Sequence, residues 1–167
     1  TEIVPTSRHT YSGRRVTGVA GKKNFTVIFL EKSLMNAEIG FTYRVLAVFL
    51  KHGISFEHIP TGIDTMSFVV DSAILKNGVL EEVCAEIQEN VRPDNLRIIN
   101  DIALIAVVGH GMARSVGTSA RLFEAIARAG VNVRMIDQGS SELNIIVGVD
   151  NENYERTLKA VYEEFFE

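Results

Sequence analysis

A single cysteine, Cys84, is all the thiol this chain carries. No intrachain disulfide framework can form, and such sparing use suits a reducing compartment. Long hydrophobic runs are missing as well. The apolar stretches are strand-sized and no basic start leads into a hydrophobic segment, which argues against a membrane span or a secretion signal and for a cytoplasmic protein. Nor is there an electropositive track. The 17 Lys and Arg are scattered among 21 Asp and Glu, for a formal net charge of −4, so nucleic acid is not an expected partner. The chain opens at Thr1 without methionine, as a processed protein or a piece of a longer one does. What is present is globular: 46% of the 167 residues are hydrophobic and 23% charged, enough for one ordinary domain or two small ones.

Hydrophobic periodicity predicts a strand over Phe25–Leu30 and a helix from about Gly40 to Lys51, with Val45, Leu46, Phe49 and Leu50 on its apolar face. Strands follow over Ile54–Ile59 and Met66–Val70. A helix over Val79–Glu89 turns Leu80, Val83, Cys84 and Ile87 inward, and Leu96–Ile99 forms a fourth strand. This β-α-β-β-α-β order predicts an antiparallel sheet with two helices on one side. The order then recurs: strand Ile102–Val108, helix Ser115–Ala129, strands Val131–Ile136 and Leu143–Val149, and helix Asn153–Phe166. The last helix has Tyr154, Leu158, Val161, Tyr162 and Phe165 on its stripe, and Asp150 or Asn151 is placed to cap it.

The two halves align position by position. Gly40 matches Gly117, Leu46 matches Phe123, Gly53-Ile54-Ser55 matches Gly130-Val131-Asn132, and Met66 matches Leu143, each at an offset of 77 residues. Agreement of both glycines and of the strands after them marks a tandem repeat. The second half nevertheless stops at Glu167, one strand short. Val16, Gly18 and Val19 in the N-terminal "RRVTGVAG" can supply it, which would insert the first module (24–100) into a second made of 1–23 and 101–167.

No reaction centre stands out. "GHGM", Gly109 to Met112, follows a strand, but Arg114 occupies the third glycine position of a dinucleotide fingerprint, so a plain strand-to-helix turn is expected. His9, His52, His58 and His110 are too dispersed for a metal motif. Ser140 and Ser141 have no nucleophile elbow, and Cys84 falls on an apolar stripe as a small hydrophobe would. Asp64 and Glu142 follow glycine-bearing turns at Gly62 and Gly139 and read as turn carboxylates. No catalytic residue and no metal site are assigned.

A binding site is a stronger candidate. In "KSLMNAEIGFTYRV", Lys32 to Val45, the backbone N–H groups of a helix start are available to a carboxylate. Glu57 and Asp64 could receive an ammonium group, with Met35 and Phe41 as an apolar wall. A zwitterionic amino acid satisfies that mixture. The alternative is that Gly40 and Gly117 only permit close packing.

The stretches "NFTVIFLEKSLMNAEIGF", "VLAVFLKHGISFEHIPTGIDTMSFVVD" and "IALIAVVGHGMARSVGTSARLFEAIARAGVNVRMIDQGSSELNIIVGVD" resemble the tandem ACT modules at the C-terminus of aspartate kinase. The resemblance covers nearly the whole chain, and "TEIVP" resembles the link leaving the kinase domain. It implies an α+β fold of two ferredoxin-like ACT modules, the first inserted into the second. It also implies that the catalytic domain, with its ATP and Mg site for phosphorylating the aspartate side chain, lies upstream, and that this chain has no phosphotransfer activity of its own. ACT modules of two subunits pair into a homodimer and hold lysine or threonine at their interface, with lysine the leading effector here. Carried over, Met35, Ala37, Gly40, Phe41 and Thr42 match the effector loop and helix start. Phe56, Glu57 and His58 match the second strand, and Gly62, Ile63 and Asp64 its turn. Either Glu57 or Asp64 would meet an effector ammonium. Lysine-sensing relatives often carry a serine–glutamate pair where this chain has Gly62-Ile63. Gln138, Gly139, Ser140, Ser141 and Glu142 match an interface segment that is a possible second effector region.

Overall fold

The structure, a computed structural model, describes residues 15–167; His9 and the "TEIVP" opening lie outside them. The chain divides into two compact units. The first is Lys22–Ala103, and the second joins Leu104–Glu167 to the segment ending at Gly21. The elements are β1 (Gly18–Glu31), α1 (Phe41–Lys51), β2 (Thr65–Asp71), α2 (Val79–Asn90), β3 (Asn95–Val108), α3 (Thr118–Arg128), β4 (Met135–Asp137), β5 (Asn144–Asp150) and α4 (Tyr154–Phe166). Short 3-10 turns at Met35–Ala37, His110–Met112 and Asn151–Asn153 precede α1, α3 and α4.

In the first unit β1 lies between β2 and β3. It pairs antiparallel with β2 from Phe25↔Asp71 to Glu31↔Thr65, and the N–H of Asp94 donates to the Glu31 carbonyl at 2.8 Å. In the second unit β3 is followed by β5 and then β4, the last two paired from Met135↔Gly148 to Asp137↔Ile146. On the other side of β3 the N–H of Thr17 donates to the Val108 carbonyl, also at 2.8 Å. Each unit therefore has the ferredoxin-like strand order.

β1 and β3 are each 14 residues long, whereas the sequence reads as two separate short strands in each place. Asn24 (φ 69°) and Asp101 (φ 59°) mark the expected breaks. Their short polar side chains tolerate the left-handed region, so the chain kinks there without leaving the ladder. The opposite correction applies to Ile54–Ile59, which is reduced to isolated bridges His58↔Val69 and Thr61↔Met66. Pro60 has no N–H to donate and only its carbonyl takes part, accepting from Ser67.

The repeat offset also changes along the chain. Lys32 N–H donates to the Asp64 carbonyl, and Gly109 N–H to that of Leu143, both at 2.9 Å. Asp64 thus corresponds to Leu143, and Met66 to Ile145, at an offset of 79. The expected match of Met66 with Leu143 is off by two residues because the first unit closes its hairpin with a shorter turn. Met66, Phe68 and Val70 are buried, as are Ile145, Val147 and Val149, which is what the corrected alignment requires.

Each sheet packs its helices through an apolar stripe. On α1 the buried residues are Phe41, Val45, Val48 and Phe49, the i, i+4, i+7, i+8 spacing of one helical face. Leu50, expected on that face, is 82% exposed, since it lies about 100° around the helix from Phe49. On α4 Thr157 and Val161 are buried while Tyr162 stays half exposed. α4 is entered at Asn153, whose side chain does not cap it, and Asp150 does not cap the short 3-10 turn before it. The two helices of each unit are also cross-linked at matching places. Lys51 and His52 both reach Glu86 at 2.9 Å, while Arg128 and Arg121 reach Glu164 at 2.5 and 2.8 Å. These carboxyls are held below the usual range, Glu86 chiefly by Lys51 and Glu164 chiefly by Arg121.

Two predictions follow from contacts made by the strand ends. A Cβ on buried Gly109 would lie 2.2 Å from the Arg15 carbonyl oxygen and 2.9 Å from Val16 Cα. Gly109→Ala is expected to destabilise the second unit by about 1–3 kcal/mol through overpacking, read from urea unfolding; an unchanged midpoint would contradict the contact. Asp94 accepts from Ser33 N–H at 2.7 Å and from Lys32 Nζ at 3.3 Å, and Ser33 chiefly holds its carboxyl below the ordinary 3.8. With the folded value depressed, this contribution is complete above the ordinary value and is lost as pH falls through the folded one. Asp94→Ala should be less stable than the parent near neutral pH, with the gap narrowing below about pH 4. A gap that is the same at every pH would contradict this.

Candidate functional site

The loop between β1 and α1 is anchored at both ends. Asp94 holds its start through Ser33 and Lys32, and Lys32 N–H ties it to the turn at Asp64. Between them Leu34 adopts φ 58°, a conformation that costs a residue with a Cβ roughly 1–2 kcal/mol. Met35 N–H donates to the Lys32 carbonyl and Ala37 N–H to that of Leu34, forming the 3-10 turn. Gly40 then enters α1 at φ 82°.

That glycine serves the backbone. A Cβ on Gly40 would meet only the Arg44 guanidinium at 3.8 Å, and one on Gly117 (φ 88°) would meet nothing within 4 Å. Both positions have room for a side chain, so close packing does not explain them; the left-handed conformation does. The same device recurs at Gly78, φ 86°, before α2. No side chain caps α1, and its first helical bond runs from Arg44 N–H to Gly40 O. The N–H groups of Thr42 and Tyr43 therefore precede the helical ladder and point out of the helix start.

The expected site residues fall into two sets. Met35 and Phe41 are packed in the core of the first unit with Ile28, Phe49 and Phe68, so they support the loop from beneath. Ala37, Gly40 and Thr42 are exposed on the loop and helix start, and Glu57, Gly62, Ile63 and Asp64 are exposed on the neighbouring segments. Glu57 and His58 pair through their backbones with Val69. Phe56 sets its ring edge-on to Phe49 and Phe68, at 6.0 and 5.8 Å, which fixes the 56–58 segment to α1. Lys32–Asp64 joins the turn to the loop. The residue that sequence reasoning missed is Asp94: it lies 61 residues from Ser33, and no local pattern signals so distant an anchor.

The second unit repeats the loop with a different fastening. Met112 N–H donates to Gly109 O and Ser115 N–H to Met112 O, and Gly117 enters α3. Here the anchor is Glu142, whose carboxylate accepts the Arg114 backbone N–H at 2.6 Å. Within the turn Glu142 N–H donates to Gly139 O at 3.0 Å, and Ser141 Oγ accepts from Leu143 N–H at 3.5 Å. Gln138, Ser140 and Ser141 are exposed. "GHGM" is accordingly a packed turn, its first glycine lying against residues 15–17.

Among the described residues no group of three or more His, Cys, Asp or Glu could hold a metal ion. Cys84 is half-buried, and burial pushes its thiol up, away from the reactive thiolate. A groove of about 530 Å³ crosses Ala125, Ala129 and Ala160 on α3 and α4, and another of about 410 Å³ lies at His52, Glu82 and Glu86. Neither is lined by the expected effector residues. Among the described residues no helix is long and apolar enough to cross a membrane.

A family profile described as an ACT domain matches residues 105–165. Aspartokinase 3 of Bacillus subtilis is 38% identical over 151 residues, 90% of this chain and 33% of its own length. The chain thus spans about a third of the curated relative it matches. Clostridium acetobutylicum aspartate kinase is 45% identical with a TM-score of 0.86, over 90% of this chain and 34% of that one. The regulatory subunit of aspartate kinase from Thermus thermophilus, in a ligand-free form, is 26% identical with a TM-score of 0.75, and 99% of it is covered by 92% of this chain. Escherichia coli aspartokinase III, in complex with lysine and aspartate, shares the fold at 24% identity and a TM-score of 0.73, over 92% of this chain and 34% of that one. Two ferredoxin-like units built around a repeated glycine-led helix start are thus matched by relatives across nearly the whole chain, which is an ACT-domain regulatory region homologous to the regulatory subunits of aspartate kinase.

Proposed function

We propose that the chain senses a free amino acid, lysine first and threonine second, and relays its binding to an aspartate kinase catalytic domain as feedback inhibition. The observation that carries this reading is the first unit's loop. An uncapped helix start, entered through left-handed Gly40, stands beside a turn fastened to it at Lys32 and Asp64. The effector carboxylate would take the N–H groups of Thr42 and Tyr43, where the helix end favours an anion. Glu57 and Asp64 are both exposed and would receive ammonium groups. Lysine has two such groups for two carboxylates, whereas threonine has one.

The effector would be enclosed by a second copy of the chain. Leu34, Ile39 and Ile63 surround the loop at 72%, 96% and 71% exposure, and exposed apolar residues so grouped suit a protein partner. Gln138 to Glu142 would belong to the second unit's own interface with the partner copy. Inhibition is then a population shift: the effector must bind the arrangement that holds the kinase inactive more tightly than the other, since equal affinity shifts nothing. ATP, Mg and aspartate would belong to the catalytic domain, either in the same polypeptide or as a separate subunit. The near-complete coverage of the Thermus thermophilus regulatory subunit favours keeping the second form as an alternative.

Calorimetric titration of the dimer with lysine, threonine and methionine tests this reading. Saturable lysine binding is expected, weakened about tenfold or more by Glu57→Ala or Asp64→Ala with circular dichroism unchanged. The chain alone should show no aspartate phosphorylation. Failure of all three amino acids to bind a verified dimer would overturn the proposal in favour of a purely structural dimerisation module.

A further inference from the structure

The turn leading from β2 into α2 carries reactive groups that amino-acid sensing does not use. Val79 N–H donates to the Lys76 carbonyl at 3.3 Å, closing a turn with Asn77 and Gly78 as its central pair. Asn77 has φ 58°, and Gly78 has φ 86° and ψ −3°. Two consecutive residues with positive φ make a type I′ turn, for which Asn-Gly is a favoured pair. Backbone conformation therefore accounts for the residue choice. The same pair leaves a side-chain amide next to a backbone nitrogen that no Cβ shields, because glycine has none.

Of the ten asparagines in the chain, only Asn77 precedes a glycine. Asn90, Asn95, Asn100 and Asn153 are held by side-chain hydrogen bonds. The Asn77 side chain has no partner among the described residues, and Gly78 N–H finds no acceptor among them. Both residues are exposed. A Cβ on Gly78 would meet nothing within 4 Å, so no neighbouring atom crowds the approach to its nitrogen. Only the Asn77 side chain and the peptide joining it to Gly78 must rotate to bring the two groups together, and neither is fastened.

We propose that Asn77 is a self-modification site, which the folded chain slowly converts to aspartate and isoaspartate. The Gly78 nitrogen attacks Asn77 Cγ. A Gly78 N–Cγ bond forms as the Cγ–Nδ2 bond breaks, and the Gly78 amide proton leaves with the Nδ2 group as ammonia. The succinimide that remains is opened by water. Cleavage of the new Cγ–N bond restores the main chain and leaves aspartate, whereas cleavage of the original C–N bond routes the main chain through Cβ and leaves isoaspartate. Water is the only co-reactant. Either product makes the chain one unit more negative than its formal −4. The added charge precedes a helix whose first turn already holds Glu81 and Glu82, at the end of the α2 dipole that favours an anion. The fold thus leaves the reaction open and accommodates its charge.

The test compares the purified protein with a synthetic peptide of residues 72–82, both held at mildly alkaline pH without any amino acid. Peptide mapping by mass spectrometry locates the residue whose amide has become an acid. A site that needs no unfolding to react should turn over in the folded protein within about tenfold of its rate in the peptide. Hydroxylamine, which cleaves the chain at a succinimide, should release fragments ending at 77 and beginning at 78. Asn77→Ser, at an exposed turn position, should abolish both signals while circular dichroism shows the fold retained. Reaction at Asn77 slowed far more than tenfold against the peptide overturns the proposal, and so does earlier reaction at any other asparagine.

Discussion

The sheet of each unit is completed by the opening residues of a long strand, β3 for the first and β1 for the second, and the rest of the structure depends on that backbone pairing. The first unit takes the opening residues of β3, fastened where Asp94 N–H meets Glu31 O, and the second takes the N-terminal residues of β1, fastened where Thr17 N–H meets Val108 O. The two bonds are equivalent in the repeat and equal in length. A sheet edge left open would expose a row of unpaired N–H and C=O groups. The pairing also places the β1–α1 loop, because Asp94, once beside Glu31, is in reach of Ser33 and Lys32 and so positions the start of that loop. Strand completion and loop placement are one event.

Much of this was legible in the residues. The position of the first helix followed from apolar spacing at Val45, Leu46 and Phe49. The family resemblance added the ACT architecture and the placement of the loop. What was not legible had specific causes. Asn24 and Asp101 read as strand breaks because their residue types punctuate chains, yet a single left-handed residue kinks a strand without ending it. Pro60 cost the Ile54–Ile59 segment its ladder although Ile and Phe favour a strand there. A two-residue shortening of one turn left the apolar alternation intact and so hid the change of offset from 77 to 79. Leu50 looked inward because an apolar residue beside the stripe cannot be told from one on it by type alone.

The glycines carry a related lesson. Gly40 and Gly117 are repeated because each helix is entered from the left-handed region, while Gly109 is required for a different reason, contact with residues 15–17. The first pair leaves helix N–H groups uncapped, which suits a ligand; the second joins the N-terminal segment to the unit. Symmetry in the backbone then allows asymmetry in use. The same loop is fastened by Asp94, just before β3, in one unit and by Glu142 of the hairpin turn in the other.

The central claim is that a free amino acid binds at the first unit's helix start, and amide chemical-shift mapping with lysine tests it most directly. The account predicts the largest shifts at Gly40, Thr42 and Tyr43, with a second group at Gly62 to Asp64 and little change at Arg114. Saturable shifts confined to the second unit, or none at all in the dimer, would contradict it.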